Sequence, residues 1–153
     1  MRRLLILLAI LAACARDGSL APPRSVSAGI AAAVQKMPDS PVTISRLTDF
    51  PWTRFFVFGP YTPAQTVRDS VGIGCCGGAE VDLASAEDHD LLVFVRADKP
   101  PVVERHPRSR GDFAPAALGR GYTPAEAVFT VNSSRRDGWR SLEPLRPGSR
   151  GER

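Results

Sequence analysis

The stretch Thr53–Gly59, TRFFVFG, is apolar on both faces when read as a strand: Phe55, Val57 and Gly59 point one way, Phe56 and Phe58 the other. A strand with one wet face cannot carry that pattern. The fold must therefore cover it on both sides, and the stretch is expected to be central in a sheet or overlaid by a helix. This requirement shapes the reading of the rest of the chain.

Few other segments can supply the cover. Ile30–Met37, rich in alanine and ending before Pro38, reads as a short first helix. Val42–Leu47, VTISRL, is β-branched and brief enough for a strand, and Asp49-Phe50-Pro51-Trp52 marks a turn. A second helix is expected after Thr62, with Pro63 at its first helical position, Thr62 and Gln65 forming a reciprocal capping box, and an end near Gly72–Gly74. Asp90–Arg96, DLLVFVR, and Val102–Glu104 flank the turn Ala97–Pro101 and read as an antiparallel pair whose prolines protect an edge. Phe113–Leu118 is ambiguous. Val128–Val131 and Trp139–Leu142 complete the strands, joined by a loop over Asn132–Gly138. The expected architecture is a small two-layer α+β domain: one mostly antiparallel sheet of about four or five strands, with two helices on one face.

Pro60–Val67, PYTPAQTV, nearly recurs as Gly121–Val128, GYTPAEAV. In the second copy Thr123, Pro124 and Glu126 carry the same capping grammar, but Ala127–Val131 reads as a strand, so a single turn there is as good an expectation as a full helix. Shared local chemistry accounts for the echo more simply than duplication.

The amino terminus reads as a secretory leader. Arg2 and Arg3 precede the uncharged, mostly apolar run Leu4–Ala13, too short to cross a bilayer, which takes about 17–25 helical residues. Leu11-Ala12-Ala13-Cys14 resembles the bacterial lipobox. That resemblance implies a diacylglycerol on Cys14, cleavage before it, and often a further acyl chain such as palmitate. Residues 1–13 are then a lipoprotein signal peptide and 14–29 a lipidated, Pro22-Pro23-containing tether. Residues 30–143 form one α+β domain, and 144–153 a loose tail. The expected location is the bacterial cell envelope, facing the periplasm; Ala15, where an aspartate would resemble an inner-membrane retention signal, favours the outer membrane.

Cleavage would remove Arg2 and Arg3 alone among the charged residues and lower the formal net charge from +4 to +2. So small a charge on a secreted chain gives no reason to expect a nucleic-acid partner. No Gly-x-Gly-x-x-Gly follows a strand and no phosphate loop ends in Gly-Lys-Ser or Gly-Lys-Thr, so no nucleotide cofactor is expected, nor any other.

Three groups of residues could carry chemistry. Cys75-Cys76, set among Gly72, Gly74, Gly77 and Gly78, is open to a vicinal disulfide, a mixed disulfide, a redox role or binding of a thiophilic ion, the last with His89 and His106 as further candidate ligands. Ser85, His89 and Asp90 can be written as a triad, but no Gly-x-Ser-x-Gly elbow supports it. Trp52, Arg54 and Tyr61 combine apolar area with hydrogen-bonding groups and are candidates for an interaction patch, against the simpler reading of Trp52 as core.

Residues 52–72, WTRFFVFGPYTPAQTVRDSVG, resemble the central segment of small, uncharacterised bacterial lipoproteins, in which an aromatic strand enters a Phe-Gly-Pro-Tyr-Thr turn and then a helix. Gly59, Thr62, Gln65, Val67 and Gly72 are also similar to a motif of the SmpA/OmlA (BamE-family) lipoproteins. Pro60-Tyr61 and Thr66 depart from that motif. The second resemblance implies an α+β fold and a part in outer-membrane protein assembly. Taken together, the residues point to a noncatalytic, lipid-anchored envelope protein, a binding or structural accessory to an envelope protein partner. The alternative is a periplasmic thiol-redox or thiophilic-metal-handling protein using Cys75-Cys76.

Overall fold

The computed structural model describes residues 24–36, 40–72, 81–133 and 138–145. Among them the two-faced strand is β2, Arg54–Phe58. It pairs antiparallel with β3, His89–Val95, which pairs antiparallel with β4, Val102–Pro107, across the expected Pro100-Pro101 turn. The register sets Phe55 opposite Phe94, Phe56 opposite Val93, Val57 opposite Leu92 and Phe58 opposite Leu91, so each face of this sheet is apolar on both strands.

The two faces are covered differently. On one, Phe55, Val57, Leu92 and Phe94 share a core with helix α1, Val26–Lys36, and with a second sheet made of β1 (Val42–Thr43), β5 (Asp112–Phe113), β6 (Val128–Asn132) and β7 (Ser141–Pro144). Val26, Ile30 and Val34 recur at helical spacing and are buried there. Stacking of Phe55 on Phe94, with centroids 4.7 Å apart, and edge contacts of Phe129 with Phe113 and Tyr122 fill this core. On the other face, Phe58, Leu91 and Val93 meet Val67 of helix α2, Ala64–Val71, together with Val81 and Leu83.

The α+β domain with two helices and several antiparallel strands is as expected, but two details differ. The strands form two sheets, ordered β2-β3-β4 and β1-β6-β7-β5, rather than one of four or five strands, and β5 runs parallel to β7. Beyond β2, Tyr122 exchanges both backbone hydrogen bonds with Phe55, at 2.8 Å each, and Gly119 N–H donates to the Val57 carbonyl. This short segment closes the edge of β2 without extending the sheet. Second, the helices do not share one face: α1 and α2 pack on opposite faces of β2–β3, because both are apolar and each needs cover.

Local boundaries move for identifiable reasons. Helix α1 begins at Val26 rather than Ile30, so the end of the stretch read as tether is helical. Ser25 Oγ accepts from Ala28 N–H, and Glu104 of β4 accepts from Val26 and Ser27 N–H. At the other end Arg140 donates to the Val34 and Gln35 carbonyls. The strand expected at Val42–Leu47 is only Val42–Thr43 before a 3-10 turn over Ile44–Arg46. Phe113–Leu118 resolves into the end of β5 and a 3-10 turn over Pro115–Ala117.

The echoed motifs use their threonines differently. Thr62 Oγ donates to the Gly59 carbonyl at 2.7 Å, closing a turn in which Tyr61 takes φ 62°, while Gln65 bonds Asp69; the expected capping box does not form. In the second copy Glu126 accepts from both Thr123 N–H and Thr123 Oγ, over one turn that leads into β6. Tyr122 is buried beside Phe55 whereas Tyr61 is exposed. Gly121 lies so close to the Phe56 ring that a Cβ there would approach it to 2.8 Å.

Candidate functional site

Four buried polar residues, Ser27, Asp90, His106 and Asp112, converge where α1, β3, β4 and β5 meet. Asp90 of β3 and His106 of β4 are partners in register, and their side chains lie on the core face. Ser27, in the first turn of α1, approaches His106, and the turn Arg108–Arg110 carries the chain from β4 to Asp112 at the start of β5. Asp90, His106 and Asp112 are all buried.

The hydrogen bonds fix the histidine's tautomer. Nε2 lies 2.9 Å from the Gly111 carbonyl, which can only accept, so Nε2 carries the proton; Nδ1, 2.8 Å from Ser27 Oγ, accepts the serine's hydrogen. Burial holds the His106 pKa below the usual imidazole value and outweighs the Gly111 bond and the charge of Glu104, which raise it. His106 is therefore a neutral link between helix and turn.

The two buried carboxylates are treated unequally. Asp112 receives a two-pronged contact from Arg108, at 2.7 and 3.1 Å, and Arg108 also donates to the Glu87 carbonyl and lies over Trp139. Asp90 accepts from Phe113 N–H at 3.3 Å. Burial pushes Asp90 up to about 7, and the negative charge of Asp112 adds to the rise; the Phe113 bond and Arg108 only partly offset it.

A serine 2.8 Å from a neutral histidine has the local geometry of a nucleophile and its base. Here the pair is sealed: Ser27 is 7% exposed and His106 0%, and the neighbouring Val26 and Ser27 N–H groups, which could have met an oxyanion, already bind Glu104. The arrangement works as a clasp joining α1 and β4 to the turn before β5.

The residues singled out from sequence are mostly apart. His89 follows the opposite phase to Asp90, bonds Asp88 at 2.7 Å, and lies on the other face of the strand pair from His106, whose two ring nitrogens are both occupied. Ser85, His89 and Asp90 form no triad: Asp90 meets Phe113 and His89 meets Asp88. Among the described residues no group of three or more His, Cys, Asp or Glu is placed to hold a metal ion. Cys14, Cys75 and Cys76 lie outside the described residues.

Trp52 is core: its indole N–H donates to Thr48 Oγ and its ring meets the edge of Phe94. Arg54 is exposed and reaches the Gly121 carbonyl, while Tyr61, 57% exposed, lies past the far end of β2 and bonds Glu87, which raises its phenol pKa. The five-residue strand between Trp52 and Tyr61 spans about 17 Å at about 3.3 Å per residue. Trp52 instead edges a crevice of about 170 Å³ formed by Pro51–Thr53 and the Arg96–Lys99 turn.

The buried cluster was not anticipated, yet a signal for it exists. Asp90, Leu92 and Phe94 alternate along one strand, so period-two phasing alone puts the Asp90 carboxyl on the core face. No such signal joins Ser27 to His106 or Arg96 to Trp52, which come from distant parts of the chain. No family model, curated protein or solved structure matches this chain.

Proposed function

We propose that this chain is a noncatalytic, lipid-anchored protein of the bacterial cell envelope that faces the periplasm and binds or supports another envelope protein. The observation that carries the reading is the leader itself: Arg2-Arg3, the apolar run Leu4–Ala13 and the small residues before Cys14. Two or three acyl chains on Cys14 hold a domain at the bilayer without a spanning helix, since each buried methylene contributes about 0.8 kcal/mol.

The folded part supports a binding role. Its buried titratable side chains are bonded back into the fold, and the serine–histidine pair holds α1 in place behind a closed surface. Resemblance of residues 52–72 to small bacterial lipoproteins, and the looser similarity to the SmpA/OmlA group, point the same way.

Fractionation of cells expressing the parent chain and a Cys14→Ser variant tests the anchor. The parent is expected in the membrane pellet, released by detergent but not by high salt, and the variant outside it. Equal membrane retention of both would overturn the anchored reading.

A further inference from the structure

The crevice beside Trp52 has a shape and charge that the packing of the core does not require. We propose that it docks one apolar side chain of a partner protein, flanked on that partner by acidic residues. This deepens the reading of the chain as a binding accessory and names the chemistry of what it binds.

Size favours a single side chain. The crevice encloses about 170 Å³, whereas pockets for whole small molecules run to about 300–1,000 Å³, and an apolar cavity of about 150 Å³ accepts one benzene ring. Its wall is mostly apolar, and Pro51, Trp52 and Ala97 are among the residues that line it. An aromatic or branched aliphatic side chain fills that space, and buried anchors of this kind dominate interface energetics.

The walls are held before any ligand arrives. Thr53 donates to the Val95 carbonyl through both N–H, at 2.8 Å, and Oγ, at 3.3 Å; the Trp52 indole is tied to Thr48, and Arg96 directs Nε and Nη2 to the Pro100 carbonyl. A preformed pocket spares the ordering cost of binding. The rim carries Arg96 and Lys99 against Asp98, a net positive charge, and Lys99 has no hydrogen bond or ion pair among the described residues. Acidic residues beside the inserted side chain complement this rim.

The test is a titration of the full isotope-labelled chain in detergent micelles with acetyl-Glu-Phe-Glu-amide, followed through the Trp52 indole N–H and the Thr53, Ala97 and Lys99 amides. Saturable shifts confined to these signals are expected. Replacing Phe by Ala in the peptide is expected to weaken binding about 10- to 100-fold, from the lost apolar burial. Acetyl-Lys-Phe-Lys-amide and the Lys99→Gln protein are each expected to bind about two- to fivefold more weakly. Ala97 is exposed, so Ala97→Trp fills the crevice without touching the core and is expected to abolish the shifts while leaving Tm unchanged.

The proposal is overturned by any of four results: no saturation by ~10 mM peptide, equal binding of the Phe and Ala peptides, shifts that survive Ala97→Trp, or 3-phenylpropionate binding as tightly as the peptide. The last would assign the crevice to a small anion. Cys14 acylation has no part in this readout, so a failed titration leaves the anchoring reading standing, and an unacylated Cys14 leaves the pocket standing.

Discussion

Replacing Asp90 by asparagine is expected to stabilise the protein, and only above mildly acidic pH. In the unfolded chain an aspartate ionises near 3.9; in the fold Asp90 keeps its proton to about 7, first because it is buried and then because Asp112 lies nearby. The unfolded state therefore loses the proton first. Stability is full below pH 4, falls as pH rises toward 7 and levels off above it. The separation of about three units corresponds to about 4 kcal/mol at about 1.36 kcal/mol per unit. Asp90→Asn keeps an oxygen to accept from Phe113 N–H and abolishes the ionisation, while its extra N–H costs about 1 kcal/mol if unpaired. The variant is thus expected to match or slightly trail the parent at pH 4 and to exceed it by about 3 kcal/mol at pH 8. Urea unfolding followed by tryptophan fluorescence at pH 4, 5.5, 7 and 8.5 measures this, and the difference between the two proteins cancels the titrating groups that do not interact with Asp90, leaving its coupling to Asp112 and Arg108 inside the measured effect. Parallel pH profiles, or a variant less stable than the parent at pH 8, would refute the account of Asp90.

His106→Leu is expected to cost about 2–4 kcal/mol in the same assay, since it leaves the Ser27 hydroxyl and the Gly111 carbonyl unpaired in the core. Because the folded His106 pKa is depressed, its contribution is present above pH 6.5 and declines as pH falls below the unfolded value. The Leu variant should therefore show a flatter acid limb. Gly121→Ala must push the Phe56 ring aside and is expected to cost about 1–3 kcal/mol, read from the urea midpoint; a neutral result would show that the ring has room to move.

Much of the fold is legible because the strongest local patterns are also the deepest packing. A strand apolar on both faces demanded two layers of cover, and β2 has them. DLLVFV followed by two prolines gave the β3–β4 hairpin at nearly its observed bounds. The division into two sheets was hidden because it depends on Tyr122 and Gly119 closing the edge of β2, a tertiary contact made by a segment with no strand pattern. The true start of α1 was masked by the small and proline-rich residues before it, and the Glu104 carboxylate that holds its first turn comes from β4, 78 residues later than Val26. Of the site, Trp52 was visible as an aromatic beside a turn, but its crevice needs the Arg96–Lys99 turn, which only pairing of β2 with β3 brings near. The cluster at Asp90 is only partly legible: period-two phasing places Asp90 on the core face, but Ser27 meets His106 from a helix 79 residues away along the chain, which no local pattern signals.

Intact mass spectrometry of the membrane-extracted protein is the direct test of the proposed anchoring through Cys14. Alkylation with and without prior reduction reports on Cys75 and Cys76 in the same sample. A chain beginning at Cys14 and carrying the added mass of two or three acyl groups there is expected. A chain that retains residues 1–13, or one whose Cys14 is free to alkylate, would contradict it.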